Sequence, residues 1–267
     1  MSSNNNFMGC VAVVTGAGSG IGKAIALDFL KSGAQVAGFG RRPAYATELR
    51  DLRQFGNEFL WVPADVSREE DVRRGMKRVL RKFGKVDFLI NNAGVRGPTA
   101  PVVELSANDW RNVLEINLTG AFLCARECVR EMTKQGHGRI INISSTAGRM
   151  AYPMRASYAA SKWGLIGFTL TLAQEVGRYN ILVNAVCPGP VEGAAIDEVI
   201  AARAKVLGIP PAKVREQFER AAALGRMATS RDVSDMVLFL CSDRARNITG
   251  QVIDVSAGFG LAQKLHR

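Results

Sequence analysis

A doubly wound α/β architecture, a parallel sheet with helices on both faces, is predicted by three features of the chain. Short β-branched apolar runs alternate with helical patterns from start to end, as expected of strands buried on both sides. A glycine-rich turn stands directly between the first strand and the first helix. No internal repeat, low-complexity tract or Pro/Gly/Ser linker divides the 267 residues, and 47% of them are apolar, enough for a sizeable core. One domain over 1–267 is therefore expected.

Residues 11–14 form the first strand. Thr15-Gly16-Ala17-Gly18-Ser19-Gly20-Ile21-Gly22 follows, and a helix then runs through Lys31 to a stop at Gly33. Glycines let the backbone turn tightly against a phosphate, and the unpaired N–H groups at a helix start favour an anion. Gly16, Ser19, Gly20, Ile21 and Gly22 are accordingly candidate contacts to a cofactor diphosphate. The spacing is Gly-x-x-x-Gly-x-Gly, with Ile21 where the commoner pattern has its third glycine. The second strand, 34–40, ends at Arg41-Arg42, where an acidic residue would bind the ribose 2′-hydroxyl of NAD. No carboxylate is there to repel a 2′-phosphate and a guanidinium pairs with one, so NADP(H) is expected, with NAD(H) as the alternative. The third strand, 59–62, leads to Asp65-Val66. Asp65 either accepts from an adenine amino group or caps the next helix, which Ser67-Arg68-Glu69-Glu70 opens as a capping box and which ends near Gly84.

The fourth strand, 86–90, breaks at Asn91-Asn92-Ala93-Gly94, and a doubly wound sheet receives its ligand at such carboxyl ends. Ser106 and Asp109 start a long helix to about Lys134, interrupted by Asn117; a polar side chain there is expected to hydrogen-bond its own helix, or to hold a kink and a water. Ile140, Ile141 and Ile143 read as a fifth strand stopping at Ser144-Ser145. Ser157 opens a helix carrying Tyr158 and Lys162 on one face. A phenol, with a pKa of about 10, is a poor proton shuttle at neutral pH. An ammonium at ~4 Å with an effective dielectric of about 20 would favour its anion by roughly 4 kcal/mol, about three pKa units, before desolvation takes some back. Tyr158 is thus expected to titrate near neutrality, with the Ser145 hydroxyl donating where charge develops on a carbonyl oxygen. The sixth strand, 181–187, ends at Pro188-Gly189-Pro190-Val191. Two helices, 194–207 and 211–224, make 190–227 a candidate substrate lid. A helix at 231–241 and a strand at 252–255 bring the sheet to about seven strands.

Lys and Arg number 35 against 24 Asp and Glu, a net charge of +11. The basic residues are spread along the chain without a run of four, so nucleic-acid binding is disfavoured. No apolar run is long enough to span a membrane and the first residues lack a signal-peptide pattern, which predicts a cytoplasmic protein. The five cysteines read as reduced core residues. Cys124 and Cys128 lie at i,i+4 with no histidine beside them, so no metal site is expected. With His137 and His266 the only histidines, a histidine-based triad has almost no candidate base.

In order along the chain, Thr15-Gly16-x-x-x-Gly20-Ile21-Gly22, Asp65-Val66, Asn91-Asn92-Ala93-Gly94, Asn117, Ser145, Tyr158-x-x-x-Lys162 and Pro188-Gly189 resemble the classical short-chain dehydrogenases/reductases over nearly the whole length. The resemblance implies a Rossmann-type fold and a catalytic tetrad of Asn117, Ser145, Tyr158 and Lys162. In it Tyr158 is the acid or base, Ser145 holds the substrate oxygen, Lys162 binds the nicotinamide ribose and lowers the Tyr158 pKa, and Asn117 holds a water. It further implies that Asp65 and Val66 flank the adenine, that Asn91, Ala93 and Gly94 line the cofactor, that the Val191 backbone touches it, and that the chain forms a homotetramer. The family's usual threonine four residues past Gly189 is replaced here by Gly193. The expected activity is interconversion of a secondary alcohol and its ketone or aldehyde with NADP(H). The alternatives are 3-oxoacyl-[acyl-carrier-protein] reduction and a catalytically silent nucleotide-binding protein.

Overall fold

A computed structural model describes residues 7–43 and 46–261. Its strands are β1 (Val11–Thr15), β2 (Gln35–Gly40), β3 (Phe59–Pro63), β4 (Phe88–Asn91), β5 (Gly138–Ile143), β6 (Ile181–Pro188) and β7 (Val252–Val255). They form one all-parallel sheet in the order β3-β2-β1-β4-β5-β6-β7. The order reverses between β1 and β4, and a crevice opens beyond the strand ends at such a switch point.

Period-two alternation divides the core. Ala12 and Val14 of β1 face one side, packing with Ile25 and Phe29 of α1 (Gly20–Lys31). Short α2 (Arg50–Arg53) adds Leu52 to that side. Val11 and Val13 face the other, against α3 (Glu69–Phe83), where Val79 is buried. The long helical stretch that follows is α4 (Ala107–Leu114), a π-helical turn (Glu115–Thr119) and α5 (Gly120–Gln135). Next come α6 (Ala156–Val176), then α7 (Ala194–Leu207) and α8 (Pro211–Arg220), which share a small core of Ile196, Ile200, Val214 and Phe218. Helix α9 (Ser230–Cys241) packs on the α1 side; Thr229 and Asp232 close its start with a reciprocal capping box.

Several expectations are corrected. The capping box at Ser67 does not form: the Ser67 hydroxyl donates to Asp65 Oδ1 at 2.7 Å and the Ser67 N–H donates to the same oxygen at 3.0 Å. Arg68, without a side-chain cap, occupies the N-cap instead. The Asp65 carboxylate braces the turn ahead of α3 rather than capping the helix, and Asp71 accepts from the Asp65 N–H at 3.1 Å. The second lid helix stops at Arg220 rather than 224, because the Leu224 N–H turns away to donate to Ala257 O at 3.0 Å. His266 lies outside the described residues.

Candidate active site

A cavity of about 870 Å³ lies beyond the carboxyl ends of the central strands. The glycine turn forms one end of it. A Cβ on Gly16 would sit 2.8 Å from Asn92 Nδ2, and one on Gly22 would sit 2.4 Å from Gly16 O, so neither tolerates a side chain. Gly20 takes φ +52 with open space around it, leaving the turn's backbone free to meet a diphosphate at the start of α1. Gly16, Ser19, Gly20 and Ile21 line the cavity, whereas Gly22 packs behind them.

Arg41 and Arg42 line the same end. The Arg42 guanidinium reaches back over the turn, 2.9 Å from where a Gly18 Cβ would be, and is held by Glu48 at 3.5 Å. Trp61 Nε1 fixes the Arg42 backbone by donating to its carbonyl at 2.9 Å. Asp65, Val66, Ala93, Gly94 and Val191 also lie in the wall. Asn91 does not. It is buried beneath the cavity, where its Nδ2 donates to Asn142 Oδ1 at 2.9 Å and Ala121 O at 3.1 Å. Its neighbour Asn92 lines the wall instead and donates to Thr15 O at 2.9 Å. Thr15 Oγ1 in turn accepts from the N–H groups of Asn92 and Ala93, each at 2.9 Å. Together these bonds tie the β1 and β4 ends into one floor.

Deeper in, Ser145, Tyr158 and Lys162 line the cavity together. Ser145 caps a short turn, its Oγ accepting from the Ala147 N–H at 3.1 Å. Lys162, although buried, does not press on the phenol as its spacing suggested. Its Nζ donates to Ile143 O at 2.8 Å and stands 5.7 Å from the Tyr158 ring centroid. Burial holds the Tyr158 pKa above its ordinary value, opposed by the Ser145 hydroxyl, and burial lowers Lys162 to about 8. The direction is opposite to the one expected from the spacing of Tyr158 and Lys162, because the phenol is desolvated and the ammonium hydrogen-bonds Ile143 O instead of the phenol oxygen.

Asn117 sits on the π-turn, behind the cavity wall. Of the two roles the sequence offered, bonding to its own helix is not found, whereas the π-helical turn is a local interruption of the helix. Oδ1 accepts from the Val95 N–H at 2.7 Å, and Nδ2 donates to Val95 O at 2.9 Å and Ser161 Oγ at 3.0 Å. It thereby pins the segment after Gly94 to α6. Tyr152 and Arg155 line the same cavity and were missed, since neither belongs to a motif; their nearness to Tyr158 in sequence was the only available signal.

Comparison with known proteins agrees with this arrangement. The family model described as enoyl-(acyl carrier protein) reductase matches residues 16–260. Over 250 residues the chain is 38% identical to cis-4-hydroxycyclohexanecarboxylate dehydrogenase of Sinomonas cyclohexanicum, covering 93% of this chain and 96% of that one. It is 35% identical over 254 residues to the 3-oxoacyl-[acyl-carrier-protein] reductase FabG of Aquifex aeolicus, covering 94% and 97%. Among solved structures, NAD+-bound xylitol dehydrogenase superposes with a TM-score of 0.90 at 35% identity, covering 94% of this chain and 99% of that one. Actinorhodin polyketide ketoreductase with NADPH also gives 0.90, at 34% identity and 98% and 100% coverage. The chain belongs to the short-chain dehydrogenases/reductases and is an NAD(P)-dependent oxidoreductase acting on CH–OH groups.

Proposed function

We propose that Tyr158, Ser145, Lys162 and Asn117 are the working groups of an NADP(H)-preferring dehydrogenase or reductase of a secondary alcohol and its ketone. The reading rests above all on the phenol of Tyr158, the hydroxyl of Ser145 and the ammonium of Lys162 lining one cavity that begins at the glycine turn. A bound nicotinamide would supply the hydride for reduction and take it up in oxidation. In reduction, Tyr158, kept protonated by burial, gives its proton to the carbonyl oxygen as the carbon gains the hydride; the C=O bond becomes C–O–H and the phenol becomes phenolate. The Ser145 hydroxyl donates to the same oxygen as its charge grows. Lys162, with a pKa of about 8 and its Nζ 5.7 Å from the Tyr158 ring centroid, would hold the nicotinamide ribose beside the phenol. Asn117 is a positioning residue that holds the Val95 backbone beside them.

Gly16, Ser19, Gly20 and Ile21 would hold the diphosphate, Gly22 would let α1 start close to it, and Arg41 and Arg42 would hold a 2′-phosphate. Asp65, Val66, Ala93, Gly94 and Val191 would line the rest, with Asn91 bracing them from below. The preference for NADP(H) is supported by the absence of an acidic residue at Arg41-Arg42 and by the Arg42 guanidinium over the turn. Residues 190–227 would act as the lid of the domain spanning 1–267. The five cysteines, all unpaired, support a cytoplasmic location. A second reading, 3-oxoacyl-[acyl-carrier-protein] reduction, is favoured by the net charge of +11, which suits an acidic carrier.

Tyr158→Phe removes the proton transfer alone. It should lower kcat by at least ~100-fold while nicotinamide nucleotide still binds within about twofold of wild type. Steady-state kinetics on a panel of alcohols and ketones, with nucleotide titration, checks both; near-normal kcat would refute the role.

A further inference from the structure

Arg155 stands three residues before Tyr158, at the N-cap of α6, and only 6% of it is exposed. Its Nη1 donates to Gly97 O at 3.0 Å and to Arg96 O at 3.5 Å. Its Nε is sealed from solvent without an acceptor. Among the described residues no carboxylate lies within 4.0 Å of this guanidinium, whereas Arg96 pairs with Glu198, Arg126 with Glu69 and Arg139 with Asp243. A buried, permanently charged group without a counter-ion is among the costliest features a fold can carry.

The surroundings deepen the deficit. Burial disfavours the Arg155 charge, the neighbouring cations Arg96 and Arg203 oppose it, and beyond the two backbone carbonyls only the phenols of Tyr152 and Tyr158 favour it. Helix α6 adds the positive end of 21 residues, with no acidic side chain in its first turn and no side-chain cap. Glu198 reaches the cavity from α7, but its charge is taken up by Arg96. Arg155, Tyr152, Tyr158 and Ser145 all line one cavity, which puts this unmatched arginine in the wall of the space where an alcohol or ketone would react.

We infer that the substrate carries a carboxylate, and that Arg155 supplies the charge that receives it while the hydroxyl-bearing carbon faces Ser145 and Tyr158. This rests on the oxidoreductase reading above and narrows it to hydroxy acids and oxo acids. The substrate supplies the anion that the protein omits, and the distance from guanidinium to phenol selects where on the substrate the hydroxyl stands.

The test compares 4-hydroxycyclohexanecarboxylate with its methyl ester, in wild type, Arg155→Gln and Arg155→Lys. Wild type should favour the acid over the ester by at least about tenfold in kcat/KM, as a charge-assisted hydrogen bond would give. Arg155→Gln should collapse that ratio to near unity, mainly through KM for the acid, and Arg155→Lys should restore part of it. Acid and ester falling together in Arg155→Gln, with a displaced pH profile, would mean that Arg155 only tunes Tyr158 and would overturn the inference. So would a ratio that the substitution leaves unmoved. Should Arg155→Gln fail to fold, calorimetry on wild type with bound NADP+ decides: cyclohexanecarboxylate should bind at least about tenfold more tightly than cyclohexanecarboxamide, and equal binding refutes the proposal. Turnover of the ester without preference for the acid would sink this inference alone; no turnover of any alcohol or ketone would sink the oxidoreductase reading beneath it.

Discussion

Lys162 carries a charge that the fold disfavours. Burial lowers its pKa from 10.5 to about 8, so between those values the unfolded chain binds more protons than the folded one, and stability rises with pH. The burial cost is full below about pH 8 and gone above 10.5. Relative to Lys162→Met, which cannot titrate, wild type should gain up to about 3 kcal/mol across that window. Urea unfolding of both proteins from pH 7.5 to 10.5 measures the difference, and parallel curves would refute the burial argument. At the other end of the cavity, Arg42→Ala should lower kcat/KM for NADP+ relative to NAD+ by about tenfold or more, since a guanidinium–phosphate contact is charge-assisted. Arg41→Ala should do less, because only the Arg42 guanidinium crowds the glycine turn. An unchanged ratio in both would sink the 2′-phosphate role. At this scale the sequence was a good guide to which residues gather and a poor one to their state. The i,i+4 spacing of Tyr158 and Lys162 put both on one face, but nothing in it revealed that Ile143 O would claim the ammonium.

Among the elements, the strands were the most legible, because β-branched runs buried on both faces leave a continuous apolar mark. Helix interruptions were less so. The break at Asn117 was visible as a polar residue between Ile116 and Leu118, yet its partners, Val95 and Ser161, are 22 and 44 residues away in the chain. Ser67 shows the converse: a local capping pattern lost to a local rival, the Asp65 carboxylate two residues earlier. Gly193 is the clearest case of an element's start being set by backbone rather than side chain. It precedes α7 with φ +126 and ψ 177, a region open to glycine almost alone, although a Cβ there would meet nothing within 4 Å. Restoring the family's threonine therefore cannot simply restore a clamp. Gly193→Ala, which adds one methyl to open space, isolates the backbone cost at about 1–3 kcal/mol. It should lower Tm by a few degrees or speed amide exchange across Ala194–Leu207 while β1 stays protected. If neither changes, this conformation does not hold α7 in place.

For the whole molecule, the surface left over by the fold points to assembly. On the face formed by α4, α5 and α6, Trp110, Phe122, Trp163 and Leu170 are each between 38% and 52% exposed. Trp163 and Leu170 are seven residues apart and so share one stripe of α6, and Phe122 of α5 packs edge-on against Phe168 beside them, ring centroids 6.2 Å apart. Gly167 lies between them in sequence with nothing near its Cβ position, which lets another backbone approach closely. Large aromatics gathered on adjacent helices are the composition of an interface core rather than of a solvated face. A homotetramer is the reading we propose, with this face as one of its two contacts. Light scattering during size exclusion should then give four times the 28.8 kDa of one chain. Trp163→Glu and Leu170→Glu together place two like charges from each copy in the contact, and should reduce the mass to that of a dimer or monomer. Because both side chains are already half in solvent, far-ultraviolet circular dichroism should stay as in wild type, which separates lost assembly from lost folding. A tetramer that survives the double substitution would move the contact to another face, and a wild-type monomer would leave these aromatics without an assembly role.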